Sequence, residues 1–561
     1  MSALEPADMA VATALWRASY PPGVPSSIDP DTFPSLHALL LASCRQYAGH
    51  AAFDFLGATL SYAEWDRASA AFAGFLIERL CRKPGDRVAI MLPNALAYPV
   101  AFLGTLRAGL TVVGVNPLYT PRELAYQLTD CGATTIVIME NFAHKLASVI
   151  AETPIEHVVV ARLGDLVAPL KRWAFNFANT WLRHAVPAWR FERFTMLQDA
   201  CGHAPEHPLP DAAATPAAPA LLQYTGGTTG VAKGAMLSHR NLVANTLQCA
   251  AWIGTHATPG VERVLTPLPL YHIFSLTANM LTFASIGGMN VLVPDPRDIR
   301  RLIATMRRTR VTAISGVNTL FNALVNAKEF TTLDFSALRF AIGGGAAVQS
   351  AVAERWRAVT GTALVEGYGL TEASPVVCIN PLAQPNNGTV GLPVPSTEIS
   401  IRDDQGRAVA LGEMGEVWVR GPQVMQGYWG RPDETHRTLA AGGWLLTGDL
   451  GTVDPQGFVK LLDRKKDMII VSGFKVFPNE VEDVVAQHPG VLEAAVIGVP
   501  DARTGQLVKL FVVRRDPNLT EAALRAYARE NLTGYKIPRV IEFRDSLPKS
   551  NIGKILRKEL H

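Results

Sequence analysis

Cysteine is scarce in this 561-residue chain: Cys44, Cys81, Cys131, Cys201, Cys249 and Cys378 are the only six, and no two form a C-x-x-C pair. That excludes a zinc ribbon and a small disulfide scaffold and favours a reducing, cytosolic compartment, with all six read as buried structural residues. An excess of charge of one sign is missing as well. The 52 Lys and Arg face 49 Asp and Glu, so the formal charge of +3 offers no electrostatic reason to expect a nucleic-acid partner. The opening MSALEPADMA lacks the basic and apolar regions of a secretory signal, so no export is expected. Two uncharged stretches, 88–106 and 264–293, have the length of a membrane span. The first is broken by Pro93, Asn94 and Pro99, and the second by Pro267, Pro269, His272, Asn279 and Gly287-Gly288, which suits strands and helices of a buried core.

What is present is apolar mass. Hydrophobic residues make up 48% of the chain, with 45 glycines and 38 prolines, which describes a large core-rich globular protein of several structural units. Short apolar runs (311–314, 340–342, 362–365) alternate with helical patterns such as 349–359, where Val352, Trp356 and Val359 share a face. The alternation predicts an α/β fold with largely parallel sheets. Towards the C-terminus, strand-like 494–499 and 508–513 and helix-like 479–487 and 520–532 predict a small α+β unit. The charged run Asp463-Arg464-Lys465-Lys466-Asp467 marks the boundary, giving domains 1–463 and 464–561. Residues 212–220 read as an Ala/Pro-rich linker. The segment 171–194 mixes Trp173, Trp181 and Trp189 with Lys171, Arg172, Arg183, Arg190 and Arg193. Such a mixture suits interfacial membrane contact; the alternative is a surface subdomain that packs its aromatics against the body.

The strongest local signal is YTGGTTGVAKGA, residues 224–235, between an apolar run and a helix-like segment. Its glycines, Gly226, Gly227 and Gly230, let backbone N–H groups converge. Thr225, Thr228 and Thr229 add hydroxyls and Lys233 adds positive charge, a set made to hold polyphosphate. It is not a P-loop, because Lys233 is followed by Gly234 rather than Ser or Thr. Gly343-Gly344-Gly345 fails the dinucleotide fingerprint at Val348. No G-x-S-x-G and no H-E-x-x-H occurs, which disfavours an α/β-hydrolase and a zinc protease.

At these residues the sequence resembles the adenylate-forming superfamily of acyl-CoA synthetases, luciferases and peptide-synthetase adenylation domains. EGYGLTE (366–372), TGDL (447–450), DRKKDMIIVSG (463–473) and PKSNIGK (548–554) follow in the superfamily's order. LLQYTGGTTGVAKGAMLSHRN, PLPLYHIFSL, GVNTLFNAL, GPQVMQGYW and LPKSNIGKILRKEL resemble the bacterial long-chain fatty acid–CoA ligases of the FadD and RpfB type. The resemblance implies a large N-terminal α/β body of several subdomains and a small mobile C-terminal α+β lid. It also implies that ATP and a carboxylic acid give acyl-AMP and diphosphate, and that coenzyme A then displaces AMP.

Roles follow from the same resemblance. Glu372 and Thr225 would hold Mg²⁺. Tyr368 would offer its face to adenine beside Gly343 and Gly344, with Glu366, Gly367, Gly369 and Thr371 completing the nucleotide wall. Asp449 and Arg464 would reach the ribose, an ion pair between Asp449 and a basic residue being the alternative reading. Lys554 would be the mobile lysine of adenylation, placing an ammonium where charge grows between carboxylate and α-phosphate, with Lys549 a surface decoy. Lys466 would be the hinge, and Ser472, Gly473 and Phe474 would approach coenzyme A once the lid has turned. His272 would stand beside the acyl carboxylate or serve as a satisfied core histidine. Phe274, Leu276, Val317 and Gly345 are the acyl-site candidates, within the apolar stretches 273–281 and 317–324. Leu276 stands about where some long-chain ligases carry a tryptophan gate. The expected enzyme is a cytoplasmic long-chain fatty acid–CoA ligase of nutrient or signal fatty acids, peripheral on the inner face of the membrane through 171–194, and a homodimer by family. A medium-chain or aryl acid–CoA ligase, or a carrier-loading adenylation enzyme, is the alternative; no carrier domain follows His561.

Overall fold

A computed structural model describes residues 15–207, 209, 215–225, 232–384 and 387–561. Two large sheets build the body. One runs in the order Leu392–Pro393, Val376–Ile379, Leu364–Gly369, Phe340–Gly343, Ala313–Gly316, Arg263–Thr266, Met289–Leu292, Ala51–Phe55, Ala58–Ser61, parallel in the middle and antiparallel at both ends. The other runs Gly427–Tyr428, Lys233–Ser238, Pro219–Thr225, Thr111–Gly114, Arg87–Met91, Thr135–Met139, His157–Ala161, Phe194–Met196. Strands buried on both faces need continuous apolar sequence, which explains runs such as Thr135–Met139, buried at every position.

The two span-length apolar stretches resolve into these sheets and their covering helices. Residues 88–106 supply most of the strand Arg87–Met91 and the helix Ala97–Arg107, which is buried from Ala97 to Leu106. Residues 264–293 supply Arg263–Thr266, a helical passage with a π turn at Leu276–Leu281, and Met289–Leu292. Among the described residues no helix is long and apolar enough to cross a membrane. Pro219 and Ala220, placed in the Ala/Pro-rich linker by composition, instead open the strand Pro219–Thr225, because Leu221 and Leu222 are drawn into the parallel core beside Val112 and Val113.

A third, antiparallel sheet contains Glu398–Arg402, Gly415–Arg420, Trp444–Val453 and Val459–Arg464. Its last strand pairs Arg464 with Asp449. The chain then makes a turn and enters a separate sheet built on the long hairpin Val491–Asp501 and Gly505–Arg514, with Ile469–Val471, Phe474–Val476 and Val540–Phe543 around it. The helices Pro478–Ala486 and Glu521–Asn531 cover this sheet, burying Val481, Val485, Leu524 and Ala528 against Val496, Leu510 and Val512. The fold is therefore the mixed α/β body with a small α+β domain that the sequence leads one to expect.

The cysteines need one correction. Cys44, Cys131, Cys249 and Cys378 are buried, but Cys81 is exposed and Cys201 is half-buried. Cys81 sits in a loop at φ 54°, just past the end of a helix, where no sheet covers it.

Candidate active site

The site forms where the C-terminal ends of the parallel strands meet the small domain. Gly343 ends the strand Phe340–Gly343, and its turn is tightly seated: a Cβ on Gly343 would lie 2.3 Å from Val348 Cγ2. A Cβ on Gly344 would lie 3.1 Å from Phe274 Cζ and 3.2 Å from the Gly367 carbonyl. Glycine at both positions lets three separate motifs close on one another. Gly345, at φ +76°, leaves room for Val317 and for Ile552 of the small domain; a Cβ there would stand 3.7 Å and 3.9 Å from their side chains. Leu276 is fully buried and Val317 nearly so.

Tyr368 and Glu366 lie on the next strand, Leu364–Gly369. The Tyr368 hydroxyl donates to Asp449 Oδ2 at 2.6 Å, and Arg464 Nε lies 3.0 Å from Asp449 Oδ1. The Asp449 carboxylate is thus held at both oxygens, by an ion pair and by a phenol, and each oxygen keeps a second lone pair. The cross-strand pairing of Asp449 with Arg464 brings the two charges together. Glu366 accepts from Val348 N at 3.2 Å. Burial, with Asp483 facing it, pushes the Glu366 carboxyl up to about 8, so it is a neutral acid at pH 7. Thr371 and Glu372 open a short 3₁₀ turn, and Glu372 Oε1 accepts from the Tyr428 hydroxyl at 2.6 Å.

Thr225 ends the strand Pro219–Thr225 and pairs across its hairpin with Lys233. Gly226, Gly227, Thr228, Thr229 and Gly230 lie outside the described residues. Lys233 does not stand alone: its ammonium is 2.5 Å from Glu434 and above the Tyr428 ring.

His272 precedes a helical turn, and its Nδ1 accepts from Phe274 N at 3.3 Å. Burial first, and the nearby Lys554 ammonium second, push its pKa down to about 4. The imidazole is therefore neutral at pH 7, and the occupied Nδ1 leaves the proton on Nε2.

Lys554 arrives on a tight loop of the small domain. Asn551 donates to the Tyr271 hydroxyl at 3.0 Å, and the Thr319 hydroxyl donates to the Gly553 carbonyl at 2.9 Å. Lys554 is exposed at the surface, and desolvation by the surrounding protein, then Arg464, lower its pKa while Asp449 opposes that shift. Behind it, Arg557 forks onto Glu482 at 3.0 and 2.8 Å and reaches Asp463 at 3.1 Å. Lys549 pairs with Glu493 at 2.6 Å instead.

Lys466, Ser472, Gly473 and Phe474 take no part in the contacts described above. Lys465 is tied to the body through Asp404 at 2.7 Å, and Lys466 is exposed. Ser472 and Gly473 form an exposed turn into the strand Phe474–Val476, with the exposed Phe474 stacked on Tyr535 at 4.7 Å. Tyr428, Glu434, Tyr271, Asn551, Thr319 and Arg557 hold the site residues but were assigned no role from sequence. Tyr428, Tyr271, Asn551, Thr319 and Arg557 do fall inside or beside motif-like stretches, which was their only sequence signal.

The AMP-binding enzyme family model matches residues 40–429, and the model of the AMP-binding enzyme C-terminal domain matches 480–554. A long-chain-fatty-acid–CoA ligase of Yersinia pestis is 51% identical over 551 residues, 97% of each chain. That of Haemophilus influenzae is 44% identical over 554 residues, 97% of this chain and 98% of its own. Among solved structures, the anthranilate CoA ligase AuaEII in complex with anthranoyl-AMP superposes with a TM-score of 0.84 at 25% identity, covering 95% of this chain and 98% of that one. With a family model over 40–429 and relatives at 44–51% identity, this chain belongs to the AMP-binding enzyme family.

Proposed function

We propose that the chain is a long-chain fatty acid–CoA ligase, converting fatty acid, ATP and CoA to acyl-CoA, AMP and diphosphate through an acyl-adenylate. The observation that carries this reading is the lid loop docked at Tyr271 and Thr319, which brings Lys554 to Asp449, Arg464 and His272. Its support in sequence is the 51% and 44% identity to ligases of that name.

In the first half-reaction a carboxylate oxygen bonds to the α-phosphorus as the bond to diphosphate breaks. Two anions meet, so catalysis is chiefly a matter of placing positive charge. Lys554 supplies it between the reacting groups, and neutral His272 donates from Nε2 to orient the carboxylate. The free lone pairs of Asp449 accept from the ribose hydroxyls, and Arg464 holds that carboxylate in place. Tyr368, Gly343, Gly344, Glu366, Gly367, Gly369 and Thr371 wall the nucleotide, and Thr225 and Lys233 flank the phosphates. Glu372 and the Thr225 hydroxyl are hard oxygen donors of the kind Mg²⁺ takes. Such an ion would neutralise phosphate charge.

A long alkyl chain would leave the carboxylate past Phe274, Gly345, Val317 and Leu276. Each buried CH₂ is worth about 0.8 kcal/mol, about fourfold in kcat/KM. Diphosphate release measured from acetate to stearate should therefore climb with chain length, and AMP release with turnover should require CoA. A maximum at an aryl or short acid would overturn the long-chain assignment.

The second half-reaction needs Lys554 withdrawn and Ser472, Gly473 and Phe474 brought in. Lys466 is the proposed pivot, because Lys465 is bound to the body and the lid sheet begins at Ile469. Lys466→Pro should leave acyl-AMP formation within a few-fold of wild type and slow CoA transfer from supplied acyl-AMP at least about tenfold. Unimpaired transfer would remove Lys466 as the pivot.

The enzyme is further proposed to work in the cytoplasm, resting on the inner face of the cell membrane. The helix Pro169–Phe177 and the π turn Ala178–Leu182 turn their apolar side outward: Leu170 is 81% exposed, Trp173 65%, Trp181 67% and Leu182 70%. The inward side is fixed by Asn176 to Gly164 N at 2.8 Å, by Asn179 to Asn141 at 3.1 Å and by Phe175 against Phe55. Exposed Lys171, Arg183, Arg190 and Arg193 flank the apolar side, a charge pattern complementary to anionic lipid. The wild-type protein should pellet with phosphatidylglycerol vesicles, whereas Trp173→Glu/Trp181→Glu should stay in the supernatant with normal activity on a soluble acid. Equal sedimentation of the two would refute the contact.

A further inference from the structure

One carboxylate outside the active-site cleft ties together the segments that frame the phosphate hairpin. Asp130 lies near the end of the helix Pro121–Cys131, its side chain 10% exposed. Its Oδ2 accepts from the Tyr224 hydroxyl at 2.6 Å, and its Oδ1 accepts from Arg431 Nη2 at 2.5 Å. Its carbonyl accepts from Trp429 Nε1 at 3.2 Å. One turn earlier, Tyr126 donates its hydroxyl to the Ala232 carbonyl at 3.1 Å and accepts from Arg431 at 3.4 Å.

These bonds reach both legs of the hairpin. Tyr224 precedes Thr225 on the outgoing strand, and Ala232 precedes Lys233 on the return. The Tyr224 ring also sets the spacing between the legs, since a Cβ on Gly234 would lie 3.0 Å from Tyr224 Cε2. Trp429 N donates to the Gly234 carbonyl at 2.8 Å, completing the return leg. The segment that supplies Arg431 and Trp429 also carries Tyr428, bonded to Glu372, and Glu434, paired with Lys233. Asp130 and its arginine thus add side-chain ties to the pairing of Gly427–Tyr428 with Lys233–Ser238 in fixing the hairpin relative to Glu372. Burial and the Asp130 carboxylate raise the Tyr224 pKa, which keeps the phenol a donor.

We propose that Asp130, acting through Tyr224 and Arg431, is a positioning residue for ATP: it holds the roots of the phosphate hairpin in register with Glu372 without touching substrate. Charge-assisted bonds of this kind fix geometry more strictly than neutral ones. The inference rests on the reading that Thr225 and Lys233 flank the ATP phosphates. It makes an asymmetric demand, because diphosphate is present only in the first half-reaction.

The test uses Asp130→Asn, which removes the charge, and Tyr224→Phe, which removes only the hydroxyl and preserves the ring. Each should raise KM for ATP about tenfold, the scale of one lost charge-assisted bond, and the double variant should be no worse than the poorer single. CoA transfer from supplied acyl-AMP should stay within about twofold of wild type, since that step makes no use of the phosphate hairpin. A merely structural role would lower Tm and slow both half-reactions together, and that result overturns the proposal. Lys233→Ala is measured beside them. If it raises KM for ATP and the Asp130 and Tyr224 variants do not, Asp130 alone loses its role; if Lys233→Ala also leaves KM unchanged, the phosphate reading falls and the proposal with it.

Discussion

The arrangement depends on where one ammonium group is allowed to be. Lys554 is an exposed residue near another cation, Arg464; desolvation first and that charge second lower its pKa, while Asp449 and Asp467 oppose the shift. The position is maintained by bonds made on either side of it: Asn551 to Tyr271, Thr319 to Gly553, and the Arg557 fork onto Glu482 and Asp463. A positive charge kept under electrostatic stress is matched to a reaction that brings a carboxylate and a polyphosphate into the same space. The Asn551–Tyr271 and Thr319–Gly553 bonds that tie the loop to the body are individually modest polar contacts.

The body supplies a fixed counterpart. Asp449 and Arg464 face each other because antiparallel strands place them opposite, and Tyr368 closes on the same carboxylate from the neighbouring sheet. Gly343 and Gly344 allow that wall to pack without side chains between its motifs. Tyr368, Asp449 and Arg464, the proposed nucleotide side, thus sit on strands, whereas the lysine comes on a loop of the small domain. That division suits a site in which ATP chemistry needs rigidity and the change of half-reaction needs movement.

Much of this was readable in the sequence, for reasons particular to each feature. Strands such as Thr135–Met139 are buried on both faces and so carry a near-continuous apolar run, here Ile136 to Met139, which lets α/β layering show in the sequence pattern. Motif residues such as Glu372, Asp449 and Lys554 show because the chemistry proposed for them restricts which side chains can serve. Their partners were hidden by distance: Glu434 meets Lys233, and Tyr428 meets Glu372, through folds of the chain that no local spacing encodes. Asp130 sits in an ordinary amphipathic helix and is distinguished only by what folds onto it. Composition also misjudged Pro219-Ala220, where strand pairing overrides the Pro/Ala bias, and Cys81, left exposed at a loop. The segment 171–194 could be read two ways, and only the three-dimensional face separates Phe175, turned inward, from Trp173 and Trp181, turned out.

The central claim is that docking of the lid loop creates an adenylation site through Lys554 and that this lysine is dispensable once acyl-AMP exists. The most direct measurement is rapid-quench analysis of Lys554→Ala in both half-reactions, acyl-AMP formation from acid and ATP, and CoA transfer from supplied acyl-AMP. Adenylation should fall about 10²–10³-fold or more, the scale of losing one preorganised charge donor, while transfer stays within a few-fold of wild type. Equal losses in the two steps would contradict the account.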